Sequence, residues 1–347
     1  MKKIAVILQI ALAAFFAPAA YADRVLLKTP VAFGSHLPAL GSPIKFISER
    51  LDKVSGGDIK MRFYEPGKLV KPFEILDAVS SGKVNSGYTT PGYWAGKIPA
   101  APLFAAVPFG PEAPEYMAWL YYGNGLSLWQ KMYDQYGYNV KVLPCAIISP
   151  ETSGWFKEKI TSPSQFEGLN IRFFGLGGKV MEKMGANPSL LPGGEIFGAL
   201  EKGQIDATEF SMPAIDLRLG FYKIIKNNYF PGWHQQATVF ELMINKDVWN
   251  GMTDQQRAIV ETVCQASMTN SLAEAESAQP EALRTQTEEN GVSLEYWSPE
   301  MLNAFRAAWD EVVEEQKEDE FFTEVWGDLD SFRKDYDVWE KKAFLPR

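Results

Sequence analysis

Apolar positions along this chain switch between two periods, and the switches mark its elements. Residues 23–30 (DRVLLKTP) read as an opening strand, and 33–40 (FGSHLPAL) as a loop punctuated by Gly and Pro. From Pro43 to Ser55 the apolar residues Ile44, Phe46, Ile47, Leu51 and Val54 form a helical stripe, which Gly56-Gly57 ends. Ile59 to Tyr64 alternates as a strand. Pro72 to Ser81 reads as a short helix with proline in its first turn, and Val84 to Thr90 as the next strand. This β-α-β-α-β succession predicts an α/β domain with a largely parallel sheet.

The same reading continues through the second half. Pro114 to Tyr136 is helical with a break at Gly123-Asn124-Gly125, and Tyr138 to Ile147 is a strand that crosses into a second unit. Leu169 to Phe174 and Ile205 to Phe210 read as short strands. Helices are expected at Val180 to Met184, at Gly194 to Lys202 with Gly203 as a left-handed cap, and at Leu219 to Asn228. Ala237 to Ile244 is a strand. From Asn245 the text reads as helical to the end, over Asp247 to Asn290, Pro299 to Glu314 and Asp328 to Lys342. No internal repeat or low-complexity linker stands between the units, so crossing strands or a shared helix must join them.

Composition changes this picture at the N-terminus. Lys2 and Lys3 precede the apolar run Ile4 to Ala14, and Ala20-Tyr21-Ala22 offers small residues where a signal peptidase reads. A signal peptide over residues 1–22, cleaved before Asp23, is therefore expected, and with it the periplasm. No second apolar run approaches the ~18 residues of a membrane helix. The remaining 325 residues suit two domains. The net charge is −9, or −11 without the leader's two lysines. That balance argues against nucleic acid and anionic membrane surfaces, and makes an anionic ligand depend on a local basic group.

The stretch from Glu151 to Pro213 supplies one. Arg172 sits in a short apolar strand before Gly175, Gly177 and Gly178; Glu151 precedes SGWF; Glu209 ends a second strand. A guanidinium and two carboxylates at strand ends of an α/β unit can meet in one crevice, where a planar arginine fork suits a carboxylate. A cation bridged to an anionic ligand, with oxygen ligands suited to Na⁺ or Ca²⁺, and a plain Glu–Arg salt bridge both fit these residues. So does a two-carboxylate hydrolase using Glu151 and Glu209, although Arg172 is expected to depress both carboxyl pKa values. Gly177-Gly178-Lys179 fails as a P-loop because Phe173 and Val180 stand at required positions, and the glycines lack dinucleotide spacing. No GxSxG occurs. The two histidines, His36 and His234, lack metal-motif spacing and argue against a zinc site. Cys145 and Cys264 each lie in apolar text, which favours buried free thiols, while an oxidising compartment permits a bridge.

Several segments in order carry a resemblance: AVPFG (106–110), AWLYYGNGL (118–126), SGWF (153–156), the Arg172 strand, ALEKGQIDATEFSMP, GFYKIIKNNYFPGWH (220–234) and MINKDVW (243–249). Nearly end to end, the chain resembles the solute-binding subunits of tripartite ATP-independent periplasmic (TRAP) transporters, closest to the 2-oxo acid branch. The resemblance implies a bilobal α/β binding-protein fold with crossing strands, a long helix, a helical C-terminus and no catalysis. It implies lobe I over 23–145 plus about 235–260, lobe II over 146–234, and connecting and C-terminal helices over 261–347. Arg172 would bind the substrate carboxylate. Glu209 and the Phe210 carbonyl would hold a cation joined by residue 151, commonly Gln and here Glu, which shifts the expectation from Na⁺ toward Ca²⁺. Tyr88, Tyr93, Trp155 and Trp233 are candidate cleft walls, with packing as the alternative for each. The implied partners are a small carboxylate and the small and large membrane subunits of a permease. A homodimer through the C-terminal helices is one use of the aromatic tail, and a cap on one lobe is another. No organic cofactor is implied.

Overall fold

The computed structural model describes residues 24–343. The expected leader, residues 1–22, lies outside the described residues. Among those residues no helix is long and apolar enough to cross a membrane.

The chain opens with β1 (Val25–Pro30), α1 (Pro43–Val54), β2 (Ile59–Tyr64), α2 (Ile75–Ser80) and β3 (Ser86–Thr89). β1 and β2 pair in parallel, and a parallel bridge from Val31 to Tyr88 ties them to β3. The sequence predicts a largely parallel sheet from these strands; β1 and β2 keep to it, and the sheet around β3 departs from it. β3 pairs instead with the late strand β10 (Thr238–Asn245), which lies between β3 and β4 (Val140–Ile148) and runs antiparallel to both. The reason is connectivity: β4 leads out of this sheet and β10 returns to it. All eight residues of β10 are buried, consistent with the apolar text TVFELMIN of a strand covered on both faces.

Between those crossing strands the chain forms most of a second sheet. Its strands are β5 (Gly154–Phe156), β6 (Asn170–Arg172), β7 (Asn187–Ser189), β8 (Ala207–Thr208), β9 (Asn227–Phe230) and, joining from after β10, β11 (Ser293–Tyr296), in the order β11-β9-β5-β8-β6-β7. β6 is parallel to β7 and β8, and β5 is antiparallel to β8 and β9. Helix α5 (Gly175–Lys183) starts three residues after Arg172, so Gly175, Gly177 and Gly178 form the helix's opening turn.

Two stretches read as helix behave otherwise. Leu219 to Asn228 contains only a single tight turn, Phe221–Lys223, and then β9. The helix there is α7 (Pro213–Leu219), which Gly220 ends at φ 78° in the left-handed region that favours glycine. The slot between β5 and β11 then takes Asn227–Phe230 as strand, against the local periodicity. The C-terminal text is also interrupted, because β11 stands between the long helix α9 (Asp254–Arg284) and α10 (Pro299–Gln316), before the final helix α11 (Glu320–Ala343).

The cysteines correct a further expectation. Cys145 on β4 and Cys264 on α9 are joined as a disulfide with their Cα atoms 4.3 Å apart, so they are not free thiols. Helix α9 lies against β4: the Ser271 hydroxyl donates to the Ile147 carbonyl at 2.9 Å and accepts from the Ile147 N–H at 3.0 Å. That docking brings the two cysteines, 119 residues apart in sequence, into range.

Candidate functional site

β6 and β8 place the central pair. Arg172 is registered against Thr208, so Glu209, the next residue, emerges beside the guanidinium. Both side chains are buried. Arg172 Nη1 donates to the Glu209 backbone carbonyl at 2.7 Å and to its Oε2 at 3.1 Å, and Nε donates to the Leu191 carbonyl at 3.2 Å. The Phe174 N–H also donates to Glu209 Oε2, at 2.9 Å. The guanidinium carbon lies 5.0 Å from the centre of the Phe210 ring. Nη2 takes no part in these bonds, which leaves a donor edge for a ligand in a crevice that Arg172 lines.

Glu151 comes from the loop after β4. Its backbone N–H donates to the Gln235 carbonyl at 3.1 Å. Its carboxylate Oε1 accepts from Ser211 Oγ at 3.4 Å and from Thr238 Oγ1 at 3.3 Å. Gly232 makes this approach possible: a Cβ there would stand 2.2 Å from the Glu151 carbonyl oxygen. Gln235 Nε2 donates to the Thr238 hydroxyl at 2.6 Å, so the polar side of the crevice is a chain of bonds ending on Glu151.

These groups border a narrow crevice whose cavity volume is only about 20 Å³. Phe33, Leu40, Thr90 and Tyr93 wall it from the β1–β3 side, with Thr238 and Phe240 from β10. Glu151, Arg172, Phe174, Phe210 and Gln235 complete it. Arg172 is the only cationic side chain among these lining residues. Gly92 lets the two sides touch, since a Cβ there would meet the Phe174 ring at 2.1 Å.

Burial sets the charge states against each other. Burial pushes the Glu151 carboxyl well above the usual carboxylate range, helped by the nearby charges of Glu209 and Asp216 and opposed by Arg172. Burial acts the same way on Glu209, but Arg172, His234 and the Phe174 N–H outweigh it and hold Glu209 below its ordinary value. The expectation that Arg172 depresses both carboxyls therefore fails for Glu151, which Arg172 opposes too weakly. Glu151, Glu209 and His234 each bring one potential ligand atom within 4.8 Å of the others. Glu151 Oε2 and Glu209 Oε1 have no hydrogen-bond partner, as a pair of oxygens offered to a cation would not.

Of the four aromatic wall candidates, Tyr93 faces the crevice and the other three pack elsewhere. Tyr88 lies behind the wall, its hydroxyl donating to the Leu40 carbonyl at 3.1 Å and its ring stacked on Phe240. Trp155 packs within the second sheet and donates from Nε1 to Asp216 at 2.8 Å. Trp233 stacks on Phe305 with ring centres 4.6 Å apart and lines a separate crevice with Phe109 and Arg306. The sequence reading missed Phe33, Leu40, Phe174, Gln235, Thr238, Phe240 and His234. Phe174 ended the strand text that contains Arg172; the others gave no local signal.

Residues 36–319 match the family described as DctP, bacterial extracellular solute-binding protein, family 7. The chain is 33% identical over 319 residues to a monocarboxylate 2-oxoacid-binding periplasmic protein of Nostoc sp. (strain PCC 7120), covering 92% of this chain and 85% of that one. A TRAP transporter solute-binding protein from Bordetella bronchiseptica RB50 superposes with TM-score 0.90 at 28% identity, over 92% of this chain and 95% of the other. That protein was solved as a mixed-occupancy dimer, with copurified calcium and picolinate in one active site and the other apo. A TRAP periplasmic solute-binding protein from Pseudoalteromonas atlantica T6c, with bound sodium and pyruvate, gives TM-score 0.88 at 28% identity, over 92% and 97% of the two chains. Nothing in these comparisons supports a hydrolase.

Proposed function

The chain belongs to the DctP family of bacterial extracellular solute-binding proteins, family 7, and on that premise we propose that it captures a small monocarboxylate, a 2-oxo or 2-hydroxy acid, through a bound cation. Arg172 takes one carboxylate oxygen on its free Nη2 edge. Glu151, Glu209 and the Phe210 carbonyl hold Ca²⁺ or Na⁺, which takes the ligand's remaining oxygens. With both glutamates ionised around the metal, Arg172, Ca²⁺ and a monoanionic ligand sum to zero charge, whereas Na⁺ leaves one negative charge buried. The observation that carries the reading is a single buried arginine with a spare donor edge, beside two carboxylate oxygens that lack partners. One cationic side chain in the wall matches one carboxylate, and the phenyl rings of Phe33, Phe174 and Phe240 match a short apolar remainder.

The same proposal places the protein in the periplasm, delivering its ligand to a TRAP permease of small and large membrane subunits without chemical change. It divides the chain into lobes at about 145 and 235, so that the crevice opens and closes between them. A thermal-shift screen of small carboxylic acids tests it. Pyruvate with Ca²⁺ or Na⁺ is expected to raise the melting temperature, since a ligand bound only by the folded state stabilises it by mass action. A screen in which dicarboxylates shift the protein and monocarboxylates do not would contradict the single-arginine argument.

A further inference from the structure

His234 is one of two histidines in the chain, and its side chain is fully buried. Neither of its ring nitrogens has a hydrogen-bond partner. Its Nε2 faces Glu209 Oε1 at 3.6 Å, which is longer than the ~3.2 Å limit of an ordinary hydrogen bond. Buried polar atoms without partners are rare in folded proteins, and here a nitrogen and two carboxylate oxygens share one small region. All three atoms lie within 4.8 Å of one another, close enough to share one ion with bonds of about 2.4 Å.

The ring is also held in place. Phe173 meets it edge-on at 4.8 Å and Trp233 at 5.5 Å. Gly177 gives it room, because a Cβ there would stand 3.1 Å from the His234 Cβ. The backbone on either side is tied down: the Trp233 carbonyl accepts from the Phe109 N–H at 2.6 Å, and the Gln235 carbonyl accepts from the Glu151 N–H at 3.1 Å. The imidazole and Glu151 are thus positioned by the same short segment.

We propose that His234 is a protein ligand of the cation, so that the site carries an imidazole nitrogen and accepts first-row divalent ions, the harder Mn²⁺ and the borderline Zn²⁺, as well as Ca²⁺. The proposal rests on Glu151 and Glu209 being cation ligands and adds the nitrogen to them. Imidazole suits first-row divalent metals, whereas Na⁺ and Ca²⁺ take oxygen donors, so one nitrogen changes which ions compete for the site. It also replaces the oxygen-only site expected from the sequence.

The probe is Mn²⁺ alone, loaded into chelator-stripped, tag-free protein and read by pulsed electron paramagnetic resonance. The expected result is a ¹⁴N modulation from a directly bound imidazole, changing to the ¹⁵N pattern when the wild-type protein is made with ¹⁵N-histidine. That labelling experiment needs no variant to fold. His234→Gln is expected to lose the modulation and to weaken Mn²⁺ binding about 10-fold or more, with a smaller loss for Ca²⁺. Bound Mn²⁺ without nitrogen modulation overturns the proposal, and so does the absence of Mn²⁺ binding. A parallel calorimetric titration of pyruvate with Ca²⁺ separates the two failures. Heat there retains the carboxylate receptor with an oxygen-only site, and no heat removes the receptor reading as well.

Discussion

Glu241 and Glu209 are both fully buried among aromatic rings, and the fold treats them in opposite ways. Glu241, on β10 in the first sheet, accepts from Trp94 Nε1 at 3.0 Å and from the Tyr133 hydroxyl at 2.8 Å, with no cationic partner. Burial raises its pKa to about 8, against the pull of Tyr133 and Trp94. Glu209, at the end of β8, has Arg172 on one oxygen and an unpartnered second oxygen facing His234. A buried carboxylate surrounded by neutral donors is part of the core. One left half-satisfied beside a guanidinium and an imidazole is poised for something absent from the chain. The first region, with the Cys145–Cys264 bridge beside it, is built for stability, and the second for binding.

Substitutions can break that contrast. The largest effect is expected for Arg172→Ala. It strands a buried Glu209, which costs about 3–5 kcal/mol of stability, and it removes the carboxylate donor, which costs about 2–5 kcal/mol of pyruvate binding. Urea melts and titration calorimetry read the two separately, and unchanged binding would take Arg172 out of the site. In the other region, replacing both Cys145 and Cys264 with Ala is expected to cost about 2–5 kcal/mol in urea melts, with pyruvate affinity retained in the folded fraction.

Glu241→Gln sharpens the comparison through pH. The folded-state pKa of about 8 lies above the ordinary glutamate value of 4.5, so the folded protein binds the proton more tightly than the unfolded chain. The stability from that proton is full below pH 4.5 and is lost as pH rises toward 8. The amide variant should therefore gain roughly a few kcal/mol over wild type at pH 8, little at pH 4.5, and bind pyruvate as before. Equal melting differences at both pH values would contradict this assignment. The smallest effect is expected for Trp155→Phe, which leaves Asp216 without its indole donor and costs about 1–3 kcal/mol of stability. Binding should not change, because Trp155 packs away from the crevice.

What the sequence revealed follows the same division. Arg172 and Glu209 stood out because a charge at the end of a short apolar strand is conspicuous, and neighbouring parallel strands then bring such ends together. The α/β alternation, the break at Gly123–Gly125 and the cap at Gly203 were legible because each is decided within a few residues. Phe33, Leu40 and Phe240 were not legible as crevice walls, because only the meeting of the two sheets makes them so. His234 gave no motif, since it lies 25 residues beyond Glu209 and reaches it through a loop tied to Phe109 and Glu151. The disulfide was hidden for the same reason, as it depends on α9 docking on β4. Asn227–Phe230 was misread because its local period is helical, while its place between β5 and β11 is fixed by the sheet.

The central claim is that a cation and a carboxylate bind here together. Its most direct test is a calorimetric titration of pyruvate into chelator-stripped protein before and after saturation with Ca²⁺. The account predicts heat of binding only after Ca²⁺ is restored, from a site in which Glu151 and Glu209 present unpartnered oxygens. Equal affinity in the stripped protein would contradict it, and would leave Glu209 as the partner of Arg172 and Glu151 as the acceptor of Ser211 and Thr238.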